Sequence, residues 1–477
     1  MSFNRVLLLF PEYKGTQFGA THPPAGLGYI SEALCQNHIE HRVVDMRLDP
    51  GIGNLQSAIR RFGPDLVGAS MMTLLHRDSY RLLEQIKQAS PGVSIAAGGP
   101  HVSTFREKAL EQCPAIDFGI AREGEGAIVE LCRGRPPAEI AGLYYRSNDG
   151  VAYTGDRPFK IELDAVAYPR YEKFDLQRYI TDEIPILTSR GCPYKCIYCP
   201  VKTAIGRKFR TRSPANIADE IEYWYARGRR HFGIVDDNFL MSKKRVVELC
   251  RQLRQRDLQD LELRCPNGVR ADHCDRLVLE QMKKAGFKCL AFGVEAGNDR
   301  ILGRLKKGES IEVVRRAVAD ACELGYEVIL FFLVGSPGET RRDIEDSVEF
   351  ALSHPIFDAK FYNIVPFPDT ELFDWLSENR LFIRRPDDYL NDASHWDSEP
   401  VFETPELPRA ERIKALEYTG QVRRNIRKKA MERKLRRLGV FSKLAAAAFV
   451  SNAVQYQLLH NYTLRRLGTK IFRAVTG

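Results

Sequence analysis

Short, continuously apolar runs, each followed by an amphipathic segment, recur in two successive series along this 477-residue chain. Strands that alternate apolar and polar residues can leave one face in water. Strands that are apolar throughout must be covered on both faces, which is the pattern of parallel sheets flanked by helices. A single core rarely grows past roughly 250 to 300 residues, so two series imply at least two domains.

The first series comprises Val6–Phe10, Arg42–Asp45, Leu66–Ser70, Ser94–Gly98 and Asp117–Ile120. It predicts an N-terminal doubly wound, Rossmann-like domain over residues 1–146, with function in the loops at the carboxyl ends of the strands. Residues 147–183 have weak periodicity, a Ser147-Asn148-Asp149-Gly150 turn and a Tyr168-Pro169-Arg170 breaker, and read as a linker. The second series runs through Ile186–Thr188, Phe232–Val235, Leu261–Arg264, Leu290–Val294, Val328–Phe332 and Phe361–Ile364. Six βα units predict a partial (β/α)6 TIM-like barrel over 184–404. Residues 405–477 read as a basic helical C-terminal region in which Val422, Ile426, Ala430, Leu435 and Leu438 recur near helical spacing.

Charge is unevenly placed. Residues 405–477 hold 17 Lys+Arg against four Glu, a surplus of thirteen, while the remainder carries four more acids than bases. The basicity therefore belongs to the tail and says nothing of the active site. Eleven cysteines without a secretory signal argue against a disulfide framework and for thiolate chemistry in a reducing, cytoplasmic setting. No apolar stretch reaches the roughly 20 residues of a spanning helix.

Three of those cysteines fall in Arg190-Gly191-Cys192-Pro193-Tyr194-Lys195-Cys196-Ile197-Tyr198-Cys199-Pro200, directly after the first strand of the second series. Such spacing can wrap a loop around an iron–sulfur cubane, and three ligands leave the fourth iron open. A structural zinc site wants four protein ligands, and no second pair follows nearby.

This CxxxCxxC resembles the signature of the radical S-adenosylmethionine (SAM) superfamily, over roughly residues 184–370. Ile234–Phe239, Asn267–Asp272, Phe292–Gly297, Phe332–Thr340 and Val365–Leu372 are similar, in order, to the family's later strand-end segments. The resemblance implies a [4Fe–4S] cluster on Cys192, Cys196 and Cys199, and SAM contacts at Tyr198, Asp236, Asp237, Arg270, Glu295, Gly335 and Val365. It also implies a flavodoxin- or ferredoxin-type electron donor. Each segment alone has a plainer reading: Asp236 and Asp237 as helix caps, Glu295 in an ion pair, the Gly-Pro-Gly run as a tight turn.

The first series lacks GxGxxG after its first strand and lacks GxxxxGK[ST], so a nucleotide reading is weak. Instead Pro23–Tyr29, Ser70–Thr73, Ala97–His101 and Arg122–Gly126 stand at expected strand ends, their glycines permitting close backbone approach to a large ligand. Turn formation alone would also explain them. Residues 1–146 resemble the cobalamin-binding domain that precedes the barrel in many radical SAM enzymes. They depart from the DxHxxG type, having Asp45-Met46-Arg47-Leu48-Asp49-Pro50 at the nearest stretch. The resemblance then implies no histidine on cobalt, with Ser70, Met71, Met72 or Thr73 at its lower face and Gly98, Gly99, Gly124 and Glu125 among the cobalamin contacts. His76 and His101 are expected to be structural, or to stand behind the groups that meet cobalt, rather than to be its ligands.

Together the resemblances imply methylation of an unactivated carbon in a small-molecule or lipid-like intermediate, by way of a 5′-deoxyadenosyl radical and methylcobalamin. A cobalamin-dependent cyclase or rearrangement enzyme is the alternative within enzymes. A nucleic-acid-binding or RNA-modifying protein is the alternative outside that class; nucleic acid is not the expected partner, because the tail has no evident RNA-binding motif. Basic residues beside Leu444, Phe449, Val450, Leu458 and Leu459 suit a peripheral contact with an anionic membrane through 405–477.

Overall fold

The computed structural model describes residues 2–13, 20–392 and 398–451, with 454 and 468. Leu458 and Leu459 lie outside the described residues.

The first sheet has seven strands: β1 (Arg5–Phe10), β2 (Glu40–Asp45), β3 (Leu66–Ser70), β4 (Ser94–Gly98), β5 (Phe118–Ile120), β6 (Leu143–Ser147) and β7 (Gly150–Tyr153). Their order is β2-β1-β3-β4-β5-β6-β7, parallel through β5 and antiparallel thereafter. Alternate residues of one strand feed two cores: Leu7 and Leu9 pack with Leu55, Leu83 and Ile86, whereas Val6 and Leu8 pack with Leu27, Leu34 and Ile128. Burial on both faces is why these strands read as unbroken apolar runs. The sheet does not stop at residue 146. Gly150, with φ 117°, closes a hairpin at the expected turn and carries the sheet to Tyr153.

The remainder of the expected linker is packed rather than free. Tyr171 is buried against Phe174 and Trp224, and Tyr179 donates to Asp45 across 3.0 Å. Ile180 and Thr181 donate backbone hydrogen bonds to Ala20 and Thr21.

The second sheet is an open, all-parallel partial barrel. Its strands are β8 (Ile184–Ile186), β11 (His231–Ile234), β12 (Glu262–Val269), β13 (Phe287–Glu295), β14 (Glu327–Val334) and β15 (Asp358–Asn363), in that order. Between β8 and β11 lies a short antiparallel ribbon, β9 (Ser189–Arg190) with β10 (Arg210–Thr211). The first barrel strand lies two residues earlier than the sequence pattern predicts, ending at Ile186 because Thr188 is drawn into a side-chain clamp instead of the ladder.

From Arg409 the described C-terminal region is almost wholly helical: Arg409–Lys434, then Arg436–Phe441 and Ser442–Val450. The long helix docks on the free edge of β15. Val422 and Ile426 enter the barrel core, each worth roughly 1.5 to 3 kcal/mol of burial. Ala430 and Leu435 are buried as well, so this stripe serves the fold and is withdrawn from any membrane-facing surface.

Candidate active site

The cysteine loop hangs from the carboxyl end of β8 and is tied at both ends. Asp236, 2% exposed, accepts from the Thr188 amide at 2.6 Å and from the hydroxyls of Thr188 and Ser189, which fixes the chain just before the loop. Gly191 has φ 89°, and a Cβ there would stand 2.3 Å from the Lys208 carbonyl, so only glycine lets the ribbon close. Within the loop, Cys192 donates to Gly206, Ile197 donates to Leu305 and accepts from Leu372, and Thr203 bonds Asp369 across 2.8 Å.

Cys192, Cys196 and Cys199 are free thiols that line one cavity of about 80 Å³ together with Tyr194, Lys195, Lys202 and Arg207. Among the described residues no three His, Cys, Asp or Glu side chains close around a single metal ion. Three thiols spread along one cavity suit ligands to separate irons of one cluster, and the basic rim suits its negative charge. Burial pushes all three thiols up, Cys199 to about 12, so iron would displace protons on binding.

The residues expected around SAM divide. Asp237 is deeply set, its carboxyl pushed up to about 6 by burial and by the adjacent Asp236. Glu295 is buried, paired with Lys307 at 3.0 Å and hydrogen-bonded to Tyr198. Arg270 lies 3.5 Å over the Tyr194 ring and donates to Asp272 and to the Lys307 carbonyl. Val365 packs in the apolar cluster that holds Ile197 and Tyr198. These five gather about the loop. Asp236 does not offer a free carboxylate, since both oxygens are engaged by Thr188 and Ser189. Gly335 is not open either: a Cβ there would stand 2.0 Å from the guanidinium carbon of Arg412, which fills the space.

A second cavity, about 350 Å³, opens where the first sheet's order reverses between β1 and β3, the usual ligand position in such sheets. Gly68, Ala69, Ala96, Ala97 and Gly98 form a floor of small residues under Leu27, Tyr29 and Ile30. Ser70, Gly98, Gly99, Gly124 and Glu125 line it, as the resemblance implies. Met71, Met72 and Thr73 do not. After Ser70 the chain dives: Met71 is buried in the opposite core with its amide on Gly98, and Thr73 is buried with its carbonyl on His76. Met72 is exposed, its amide donating to Tyr13.

His76 and His101 stack at 4.6 Å away from this cavity, and His101 meets the Tyr80 hydroxyl at 2.6 Å. Both are held below the ordinary histidine range, in each case first by burial. Neither lines the cavity. A cavity floored by small residues leaves room for the flat face of a large cofactor such as cobalamin to approach the backbone.

The cavity is completed by the barrel. Leu187, Arg190, Ala204, Ile205 and Val235 line it from the other side, and all but Val235 belong to the cysteine loop or its stem. Arg190 pairs with Glu123 at 3.0 Å and Glu125 at 2.7 Å, Arg210 joins Glu123 at 2.6 Å, and Arg190 lies 4.8 Å over the Tyr29 ring. Arg190, though part of the cysteine motif, and Arg210 and Lys307 had no role legible in the sequence, for isolated basic residues carry no periodic signal.

A B12-binding domain family model matches residues 15–132, and a radical SAM superfamily model matches residues 186–351. An uncharacterized methyltransferase of Pyrococcus horikoshii is 28% identical, with 80% of this chain and 85% of that protein covered. The anaerobic magnesium-protoporphyrin IX monomethyl ester cyclase of Rubrivivax gelatinosus is 27% identical, covering 78% and 70%. Among solved structures, the radical SAM methyltransferase TsrM from Kitasatospora setae, with cobalamin and a [4Fe–4S] cluster bound, superposes with TM-score 0.69. That pair shares 22% identity over 81% of this chain and 76% of TsrM, a likeness of fold.

A Rossmann-like ligand domain closed by the cysteine loop of a partial barrel defines a radical SAM enzyme. Residues 186–351 thus form a radical SAM domain behind a B12-binding domain over residues 15–132, and a [4Fe–4S] cluster, SAM and cobalamin are the cofactors of this pair of domains.

Proposed function

We propose that this chain is a cobalamin-dependent radical SAM methyltransferase acting on an unactivated carbon of a small molecule. One observation carries the reading: the slot in the first domain is walled by the stem of the cysteine loop, so the two cofactor sites adjoin. When bound, the cluster with SAM supplies a hydrogen-abstracting radical and cobalamin supplies a methyl group. Cys192, Cys196 and Cys199 would hold the cluster. Asp237, Glu295 with Lys307, Tyr198, Arg270 and Val365 would shape the SAM site. Ser70, Gly98, Gly99 and Gly124 would bring backbone and small side chains against cobalamin. Glu125, besides lining the slot, joins Glu123 in holding Arg190 at the seam between the domains.

The basic residues Lys195, Lys202 and Arg207 around the cluster cavity suit docking of an acidic flavodoxin- or ferredoxin-type donor. Exposed Val440, Phe441 and Leu444 beside Arg436, Arg437 and Lys443 support peripheral contact of the tail with an anionic membrane. No described helix is long and apolar enough to cross one.

The test is anaerobic reconstitution followed by mass spectrometry of reactions with candidate extracts. Methylated product with S-adenosylhomocysteine supports the reading, and turnover with 5′-deoxyadenosine alone refutes it. The similarity to the cyclase makes ring formation without methyl transfer the second reading, which the latter outcome would favour.

A further inference from the structure

Along β14, Val328, Leu330, Phe332 and Val334 are buried toward the helices, while Ile329, Phe331 and Leu333 are half-buried on the opposite face, the lumen of the barrel. Gly293, Phe331 and Lys360 occupy one register row across β13, β14 and β15, and Leu333 pairs with Tyr362 in the row above. Lys360 therefore points where Phe331 points. Its ammonium lies 5.5 Å over the Phe331 ring, and Tyr362 meets that ring at 5.7 Å, edge on.

Lys360 is half-buried and, among the described residues, has no carboxylate within 4 Å. Asp358, the nearest acid along its own strand, is held by Arg423 through two 3.0 Å bonds. Burial, then Arg423 and Arg427 of the docked C-terminal helix, hold the ammonium below the ordinary lysine range, against the pull of Asp358. A cation withdrawn from water with two guanidinium groups nearby is costly unless an anion meets it. The row also leads to the proposed chemistry: a Cβ at Gly293 would stand 2.7 Å from Glu295 Oε1 and 3.1 Å from Lys307 Nζ. Gly268 lies beside the same ring, 3.5 Å from it by the same measure.

We propose that Lys360, backed by Phe331 and Tyr362, anchors the anionic group of the substrate, a carboxylate or a phosphate, with a flat unsaturated portion of the molecule against the two rings. The assignment rests on the functional reading above for which reaction the subsite serves. Recognition itself needs only this geometry, a point charge at the edge of an aromatic pair.

Fluorescence titration of the reconstituted full chain with 2-naphthoate, 1-naphthyl phosphate and neutral 2-naphthamide tests it. At least one anion should bind more tightly than the amide; whichever binds better tells carboxylate from phosphate. Lys360→Gln should weaken that anion about tenfold or more, Lys360→Arg by no more than about threefold, and neither should alter the amide. Equal binding of amide and anions, or anion binding unchanged in Lys360→Gln, overturns the proposal. Iron and cobalamin content measured on the same samples reports separately on the functional reading. Full cofactor content without a Lys360 effect sinks only the subsite, while missing cofactors with an intact Lys360 effect sink only that reading.

Discussion

Arg190 stands two residues before Cys192, yet its guanidinium is held in the other domain by Glu125, 2.7 Å away. The pair converts a position beside the proposed cluster into a wall of the cobalamin slot. Arg190→Ala should leave Glu125 without its cation and Glu123 with Arg210 alone, costing about 3 kcal/mol. Urea unfolding would measure that loss, and weaker retention of hydroxocobalamin should accompany it. A variant with unchanged stability and retention would show the seam to be inert.

Alanine at any one of Cys192, Cys196 or Cys199 should abolish a stable four-iron centre, because the described residues around that cavity offer no replacement thiolate. Iron and sulfide analysis of anaerobically purified protein, with the charge-transfer absorbance bleached by dithionite, is the readout. Stoichiometric zinc in place of iron would refute the cluster.

The stacked pair His76 and His101 makes the first domain sensitive to acid. A histidine kept neutral when folded but free to protonate when unfolded draws protons into the denatured ensemble. Stability should therefore fall as pH drops below the ordinary histidine value of 6.5 and be indifferent to these groups above it. The slope approaches about 1.4 kcal/mol per pH unit for each histidine until its own folded-state value is reached. Denaturation profiles between roughly pH 7.5 and 5.5 should steepen accordingly, and His101→Gln should flatten them.

Arg412, carried by the docked C-terminal helix, is 1% exposed and donates to Asn363 at 2.5 Å and to the Ile364 carbonyl at 3.0 Å. Its guanidinium lies 4.4 Å over the Phe402 ring. Arg412→Ala should cost about 3 kcal/mol or more through a cavity and unpaired acceptors, and Arg412→Met distinctly less, because methionine refills the volume. Gly335→Ala, which would drive a methyl into the same guanidinium, should be as damaging as Arg412→Ala. Chemical denaturation of the three variants orders them.

Short-range features were legible from residue types alone. The runs at Leu66–Ser70 and Ser94–Gly98 are strands with those limits, and the three thiols hang from the end of the first barrel strand. Strand burial and ligand spacing are encoded over a few residues, so they survive reading along the chain. Asp236 looked like a ligand by position and is a clamp, because the register of β8 against β11 brings Thr188 and Ser189 to it. The stripe at Val422 and Ile426 was legible as one face of a helix, but that it covers β15 and the barrel core was not.

What tertiary structure alone decided is which distant charges meet. Glu125 and Arg190 are 65 residues apart, and Asp358, two residues before Lys360, is held by Arg423 of the last long helix. A periodic pattern records which face of an element is apolar. It does not record which element covers that face, and the pairing of buried charges follows from that packing.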